Sequence, residues 1–269
     1  MSDFLTTIIA ERRERIRQDE ERGASRSTLR AEAESRRDEH RPFLAELRRE
    51  PGDRIRAIAE VKRSSPSAGV LQASYDPVAL GRAYHEAGAT AISVLTEPQR
   101  FEGSLDHLVA VRDAVPLPVL LKDFVVEERQ IFEAGARGAD AVLLIVAALD
   151  PRQLGDYAAL VVELGMAPLV EIHEAREIDL ALTVPGALGV NNRDLRTLAM
   201  RPAHAESVLP LLPPDRVRIA ESGYRERETV RRVEELGADA VLVGEALLRA
   251  GDAAGALAEL LGTTEEKER

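Results

Sequence analysis

From residue 53 onward the chain alternates two hydrophobic rhythms. Short apolar runs at 55–61, 91–95, 119–121, 141–145, 167–172, 188–190, 217–220 and 240–243 have the length and content of buried strands. Between them, apolar residues fall at helical spacing, as in 77–87, 127–134, 151–164 and 225–236. Helix exits repeat a small phrase: Ala87-Gly88-Ala89, then Gly138-Ala139-Asp140-Ala141-Val142-Leu143, then Gly237-Ala238-Asp239-Ala240-Val241-Leu242. A glycine just past a helix end supplies the left-handed residue that stops it, and the next strand follows within a few residues. Eight strands alternating with helices predict an α/β fold, a closed (β/α)8 TIM barrel. A doubly wound open sheet fits less well, given the strand count and the lack of a glycine-rich fingerprint after the first strand.

Residues 1–52 follow another pattern. Phe4, Leu5, Ile8, Ile9 and Ile16 predict an amphipathic first helix, Ser25 or Ser27 a cap for a second, and Phe43, Leu44 and Leu47 a third, stopped by Pro51-Gly52. The expected organisation is an N-terminal helical extension, 1–52, packed on a barrel, 53–269, as one single domain. The Arg-rich run is interleaved with Glu and Asp, so a solvated helix face is expected rather than a basic arm.

Strand one breaks the apolar rule. In Ala59-Glu60-Val61-Lys62-Arg63-Ser64-Ser65-Pro66-Ser67, alternation points Ile58, Glu60 and Lys62 one way and Ala59 and Val61 the other. Two charges aimed inward are costly unless paired or used. In a barrel the C-terminal strand ends share one mouth, so the other ends name the partners. Strand two brings Thr96-Glu97, strand three Lys122 before Asp123, strand five Glu171, strand six Asn191, Asn192 and Arg193, strand seven Glu221, Ser222 and Gly223, and strand eight Gly244-Glu245. Strand four stays apolar through Leu144. Glu97 and Asp123 are expected only to pair with neighbouring cations, and His173 to be a loop histidine one residue beyond the face of Glu171. Crowded Lys and Glu suit acid–base work, since mutual fields move their pKa values. The turns at Gly223 and Gly244, each opening a helix after strands seven and eight, read as a phosphate cradle, to which Glu245 contributes its N–H.

Composition narrows the chemistry. There is no Cys, which removes thiol nucleophiles, disulfides and zinc–thiolate sites, and no His pair has metal-ligand spacing, so no metal is expected. Trp is absent and the net charge is −11, which argues against nucleic acid and anionic membranes as partners. No leader-like start and no apolar run long enough to span a bilayer stand in the sequence, so a cytoplasmic protein is expected.

These motifs resemble indole-3-glycerol-phosphate synthase. The resemblance rests on Glu60-Val61-Lys62-Arg63-Ser64-Ser65-Pro66-Ser67, Ser93-Val94-Leu95-Thr96-Glu97 with Phe101, Leu121-Lys122-Asp123-Phe124, Val170-Glu171, Asn191-Asn192-Arg193-Asp194-Leu195, Ala220-Glu221-Ser222-Gly223 and Val243-Gly244-Glu245. It runs across the whole barrel, and more loosely over residues 1–50. It implies a phosphorylated, anthranilate-derived substrate, 1-(2-carboxyphenylamino)-1-deoxyribulose 5-phosphate. The implied reaction is ring closure, loss of CO2 and loss of water, giving indole-3-glycerol phosphate in tryptophan biosynthesis. Lys122 is then the general acid of ring closure and Glu171 the base of dehydration. Lys62 contacts the anionic ends of the substrate. Glu60, Asn191, Glu221 and Ser222 position hydroxyls and charges, and Arg193 steadies the network. Ser65, Gly223, Gly244 and Glu245 line the carboxylate and phosphate ends, while Pro66, Phe124 and Leu144 form an aryl slot. No cofactor is implied, because the cyclised iminium accepts the electrons of decarboxylation. A monomer or weak homodimer is expected. The alternatives are a different phosphate-binding barrel, such as phosphoribosylanthranilate isomerase, and a barrel kept only as a ligand-binding or scaffold module.

Overall fold

The apolar runs of the sequence form the staves of one closed sheet. They are β1 (Arg56–Val61), β2 (Ala91–Leu95), β3 (Val119–Lys122), β4 (Ala141–Ile145), β5 (Ala167–Ile172), β6 (Ala187–Asn191), β7 (Arg218–Glu221) and β8 (Ala240–Val243). All pair in parallel, in the order β1-β8-β7-β6-β5-β4-β3-β2, closing back onto β1. The computed structural model describes residues 3–20, 23–67, 69–72 and 74–263. Register brings the chemistry to one level: Leu95 lies beside Lys122, Ile145 beside Glu171, and Asn191 beside Glu221.

Among the described residues, twelve α-helices accompany the sheet. Three precede it: α1 (Phe4–Glu20), α2 (Arg26–Ser35) and α3 (Phe43–Leu47). The others are α4 (Pro77–Glu86), α5 (Leu105–Ala114), α6 (Glu128–Ala136), α7 (Pro151–Glu163), α8 (Ile178–Ala181), α9 (His204–Val208), α10 (Arg227–Glu235), α11 (Glu245–Arg249) and α12 (Ala253–Leu261). Of the two cap candidates, Ser25 caps α2 by accepting the Thr28 N–H at 3.2 Å. The hydroxyl-rich stretch after β1 is a short hairpin rather than an open loop, with Ser64–Ser65 antiparallel to Gly69–Val70.

Strand alternation sorts the core into two layers. Ala57, Ala59 and Val61, with Val142 and Leu144, face outward and pack under the helices. Ile58, Leu120, Leu143, Ile145, Leu169, Ile219 and Leu242 fill the barrel interior. Phe43 and Leu47 of α3 join that interior cluster and are fully buried. Burial of each contributes about 2 kcal/mol.

The repeated Gly-Ala-Asp phrase has two structural jobs, each done twice. Gly138 and Gly237 take positive φ, 78° and 89°, and end α6 and α10. The aspartate that follows is buried and receives two backbone N–H groups. Asp140 accepts from Val119 at the start of β3 (2.8 Å) and from Arg41 (2.7 Å). Asp239 accepts from Arg218 at the start of β7 (2.8 Å) and from Arg49 (3.1 Å). Each carboxylate therefore ties the preceding strand's start to the chain that flanks α3. Unpaired buried N–H groups are costly, so these aspartates set the lower rim of the barrel.

Candidate active site

The two inward charges at the end of β1 meet each other. Lys62 Nζ lies 2.5 Å from Glu60 Oε1, both buried. Gly244 makes room for this pair: a Cβ there would press on Glu60 Oε1 and Lys62 Nζ. Lys122, at the end of β3, is held between two carboxylates, Glu171 Oε2 at 2.9 Å and Glu221 Oε2 at 2.6 Å. Both glutamates are 1% exposed, on β5 and β7.

Three ionisable groups packed this tightly hold unusual charge states. Burial alone would pull the Lys122 pKa down, but Glu171, Glu221 and Glu60 raise it well above the ordinary lysine value. Burial opposes ionisation of Glu171 too, yet Lys122 and then His173 bring it well below the carboxylate range. Glu221 goes the other way. Burial, reinforced by Glu171 against the pull of Lys122, pushes it up to about 8. The two carboxylates are pushed in opposite directions, Glu171 towards its charged form and Glu221 towards its protonated form.

A cleft over the barrel mouth gathers nearly all the residues expected there. It is lined by Glu60, Lys62, Ser65, Pro66, Lys122, Phe124, Glu171, Asn191, Arg193, Glu221, Ser222, Gly223, Gly244 and Glu245. Leu144 is the exception. It is fully buried in the outer layer, while Leu143 and Ile145 line the cleft. In a strand neighbouring side chains alternate faces, so the expectation was off by one residue. The slot that Leu144 was expected to complete has Leu143 and Ile145 there instead.

The apolar end of the cleft is aromatic. Phe124 packs edge-on against Phe4, with centroids 6.4 Å apart, and in a tilted contact against Phe101 at 6.3 Å. Phe4 belongs to α1, so the extension contributes to the mouth. A charged clamp holds it there: Arg12 gives Asp123 two hydrogen bonds, Nε to Oδ1 at 2.9 Å and Nη2 to Oδ2 at 2.8 Å. Asp123 also accepts from Thr96 Oγ1 at 2.8 Å and from the Phe124 N–H at 2.8 Å. Asp123 does pair with a cation, as expected, but the cation comes from 111 residues away. Glu97 instead receives the N–H groups of Gln99, Arg100 and Phe101, which shapes the loop carrying Phe101. Much of the extension's charge is solvated, and Arg12 departs from that expectation. Periodicity alone gave no signal for it, because its partner is set by tertiary packing.

At the opposite end, Ser222 and Gly223 both take left-handed backbone, with φ of 67° and 89°. That conformation is strained for serine and costs roughly 1 kcal/mol, the kind of local strain held at functional turns. Asn192 braces the turn by donating to the Ser222 carbonyl at 3.0 Å and to Tyr224 Oη at 3.2 Å. Arg193 donates to Ser67 Oγ at 3.2 Å and to the Leu198 carbonyl at 3.1 Å, and lies 3.4 Å from Glu245. The Glu245 carboxylate also faces Arg249 at 3.0 Å and Arg225 at 3.7 Å, so it is neutralised by guanidinium groups. Arg225, Met200 and Tyr224 complete this wall; Met200 and Tyr224 sit on loops without a periodic signal, and Arg225, expected at the start of a helix, lies in the loop before α10, which begins at Arg227.

His173 does lie in the loop, just past the end of β5, but it does not point away from the site. It is buried, and its Nε2 lies 3.2 Å from Glu171 Oε1. One residue, Ile172, separates it from Glu171, and the ring turns to the same side as that carboxylate. Among the described residues no cluster of His, Asp and Glu is arranged to hold a metal ion, and no helix is long and apolar enough to cross a membrane.

The family model described as indole-3-glycerol phosphate synthase matches residues 5–260. A protein of that description from Laribacter hongkongensis is 45% identical over 263 residues, covering 97% of this chain and 99% of its own length. One from Mycobacterium avium is 52% identical over 214 residues, covering 79% of this chain and 78% of its own. A solved structure of 3-hexulose-6-phosphate synthase from Salmonella typhimurium superposes with a TM-score of 0.63 at 15% identity, over 79% of this chain and 99% of that one. At that identity the likeness concerns the fold alone.

Proposed function

This chain belongs to the indole-3-glycerol phosphate synthase family, and from that premise we propose how its residues divide the work. The enzyme closes the pyrrole ring of 1-(2-carboxyphenylamino)-1-deoxyribulose 5-phosphate, releasing CO2 and water, and yields indole-3-glycerol phosphate for tryptophan biosynthesis. Its chemistry needs an acid that stays protonated and a base that stays charged, side by side and out of water.

Lys122 is the acid. As the aryl carbon bearing the carboxylate attacks the ketone carbon, the ammonium protonates the ketone oxygen, which becomes a hydroxyl. The nitrogen lone pair supplies the electrons, so the cyclised ring is an iminium. When the carboxylate leaves as CO2, its bonding electrons return to that iminium and restore the aromatic ring. Glu171 then removes a proton from the carbon next to nitrogen, and the hydroxyl departs as water on a proton from Lys122, which Glu221, 2.6 Å away, has resupplied after ring closure. The observation that carries this assignment is Lys122 bracketed by Glu171 and Glu221 at 2.9 and 2.6 Å, on the floor of a cleft with an aromatic end and a cationic end.

Lys62 clamps the substrate carboxylate before it leaves, with Glu60 holding it in place at 2.5 Å. Asn191, Glu221 and Ser222 orient the sugar hydroxyls, and Arg193 steadies that side. Ser65, Gly223, Gly244 and Glu245 frame the anionic ends, the phosphate taking backbone N–H groups at the turns after β7 and β8. Pro66, Phe124, Leu143 and Ile145 clasp the aryl ring. The extension, 1–52, and the barrel, 53–269, act as one unit in a cytoplasmic monomer or weak homodimer. That extension and barrel act as one unit is supported by Phe4 of α1 reaching the cleft and by Arg12 of α1 pairing with Asp123.

The direct test is to mix the purified protein with the carboxyphenylamino deoxyribulose phosphate and follow indole fluorescence. Fluorescence should rise with turnover in the parent and stay flat in Lys122→Ala. Near-normal turnover in that variant would remove Lys122 from the acid role.

A further inference from the structure

We propose that His173 is a positioning residue that holds the Glu171 carboxylate from the side opposite Lys122. This rests on the reading of Glu171 as the base of dehydration. The two oxygens of Glu171 face different neighbours: Oε2 lies 2.9 Å from Lys122 Nζ, and Oε1 lies 3.2 Å from His173 Nε2. Without a hold on Oε1, nothing stops the carboxylate from turning both oxygens onto the ammonium. A carboxylate chelated in that way is well stabilised and badly aimed at a C–H bond.

The ring is placed to prevent this. His173 follows Glu171 by two residues, so its side chain continues down the same inward face. Its side chain is 6% exposed. Its main chain is tied at both ends: the N–H donates to Glu177 Oε2 at 2.6 Å, and the carbonyl accepts from Arg201 Nη2 at 3.2 Å. A charged carboxylate only accepts, so the ring hydrogen that serves this contact is on Nε2. Nε2 approaches Oε1 at 3.2 Å without the alignment of a hydrogen bond, and neither ring nitrogen has a hydrogen-bond partner among the described residues. Catalytic contacts often tighten from such geometry when substrate binds. The charged groups facing this pair are Lys122 from β3, Glu221 from β7, Glu174 and Glu177 from the turn after β5, and Arg201 from the loop after β6.

His173→Leu and His173→Gln separate aiming from packing. Leucine fills space and donates nothing; glutamine can donate from a similar reach. In single-turnover dehydration, His173→Leu should slow the step about tenfold with KM within about twofold, the scale of a lost base-orienting contact. The acidic limb of kcat should move to higher pH, because Glu171 loses a donor that favours its charged form. His173→Gln should recover most of the rate, and adding His173→Leu to Glu171→Gln should change nothing further. An unmoved acidic limb in His173→Leu, or equal losses in both variants tracking a common drop in Tm, would overturn the proposal. Glu171→Gln measured alone keeps the premise separate. If it leaves dehydration untouched, the base assignment fails; if it slows dehydration while His173→Leu is neutral, only the role of His173 fails.

Discussion

At the residue scale, the centre of the site is a contest between two carboxylates for one ammonium. Removing that ammonium by Lys122→Ala should lower kcat by about 10²–10⁴-fold, the range for loss of a positioned acid, while KM changes little; steady-state kinetics checks both numbers. Glu221 makes a separate prediction about stability. Its pKa rises from 4.5 to about 8 on folding. Between those values the folded protein binds a proton that the unfolded chain has released, so stability falls as pH rises through that window. Glu221→Gln removes the titration. The variant should gain stability relative to the parent between pH 5 and 9, roughly the span of that window, in denaturant melts. A constant difference across that range would contradict the charge assignment. Most of these residues were legible in the sequence because period-2 alternation at a strand end says which side chains meet. Leu144 shows the limit: within an unbroken apolar run both faces look alike, so parity had to come from the pairing of β4 with its neighbours. His173 shows another, since a histidine just past a strand gives no sign of whether the chain has yet left the inward face.

At the element scale, the upper and lower rims of the barrel are held by different devices. On the upper rim, α1 reaches the catalytic strand end through Arg12 and Asp123. Both are largely buried, with side chains 12% and 3% exposed. Breaking such a pair leaves a buried charge, so Arg12→Leu should destabilise the protein by about 3 kcal/mol. It should also lower kcat/KM, because Asp123 separates Lys122 from Phe124 in the chain. On the lower rim, Asp140 serves folding alone. Asp140→Ala orphans the Val119 and Arg41 N–H groups and should cost about 2–4 kcal/mol, with kcat/KM unchanged at a temperature where the variant is folded. Chemical denaturation beside steady-state kinetics distinguishes the two rims. The repeated Gly-Ala-Asp phrase was visible in the sequence as helix punctuation. Its second job, tying the segments around α3 to the barrel, was not visible, because the partner N–H groups lie far along the chain. Arg12 was hidden for the same reason among many arginines of the extension.

At the scale of the whole molecule, the fold makes one cleft with two unlike ends. The aromatic end formed by Phe4, Phe101 and Phe124 suits an aryl ring, and the turns after β7 and β8 suit a phosphate. Between them lies the buried trio that separates acid from base. The alternation of strands and helices announced the barrel because its periodicities are local. The contribution of the N-terminal helix to the mouth, through Phe4 and Arg12, is non-local and needed the structure. The central claim is that ring closure with decarboxylation and the later dehydration are run by different residues of that trio. A single-turnover experiment on Glu171→Gln, following labelled CO2 and indole fluorescence together, tests it most directly. CO2 should appear at close to the parent rate while fluorescence lags far behind, as the hydroxylated, decarboxylated ring accumulates. Equal slowing of CO2 release and fluorescence would contradict the account.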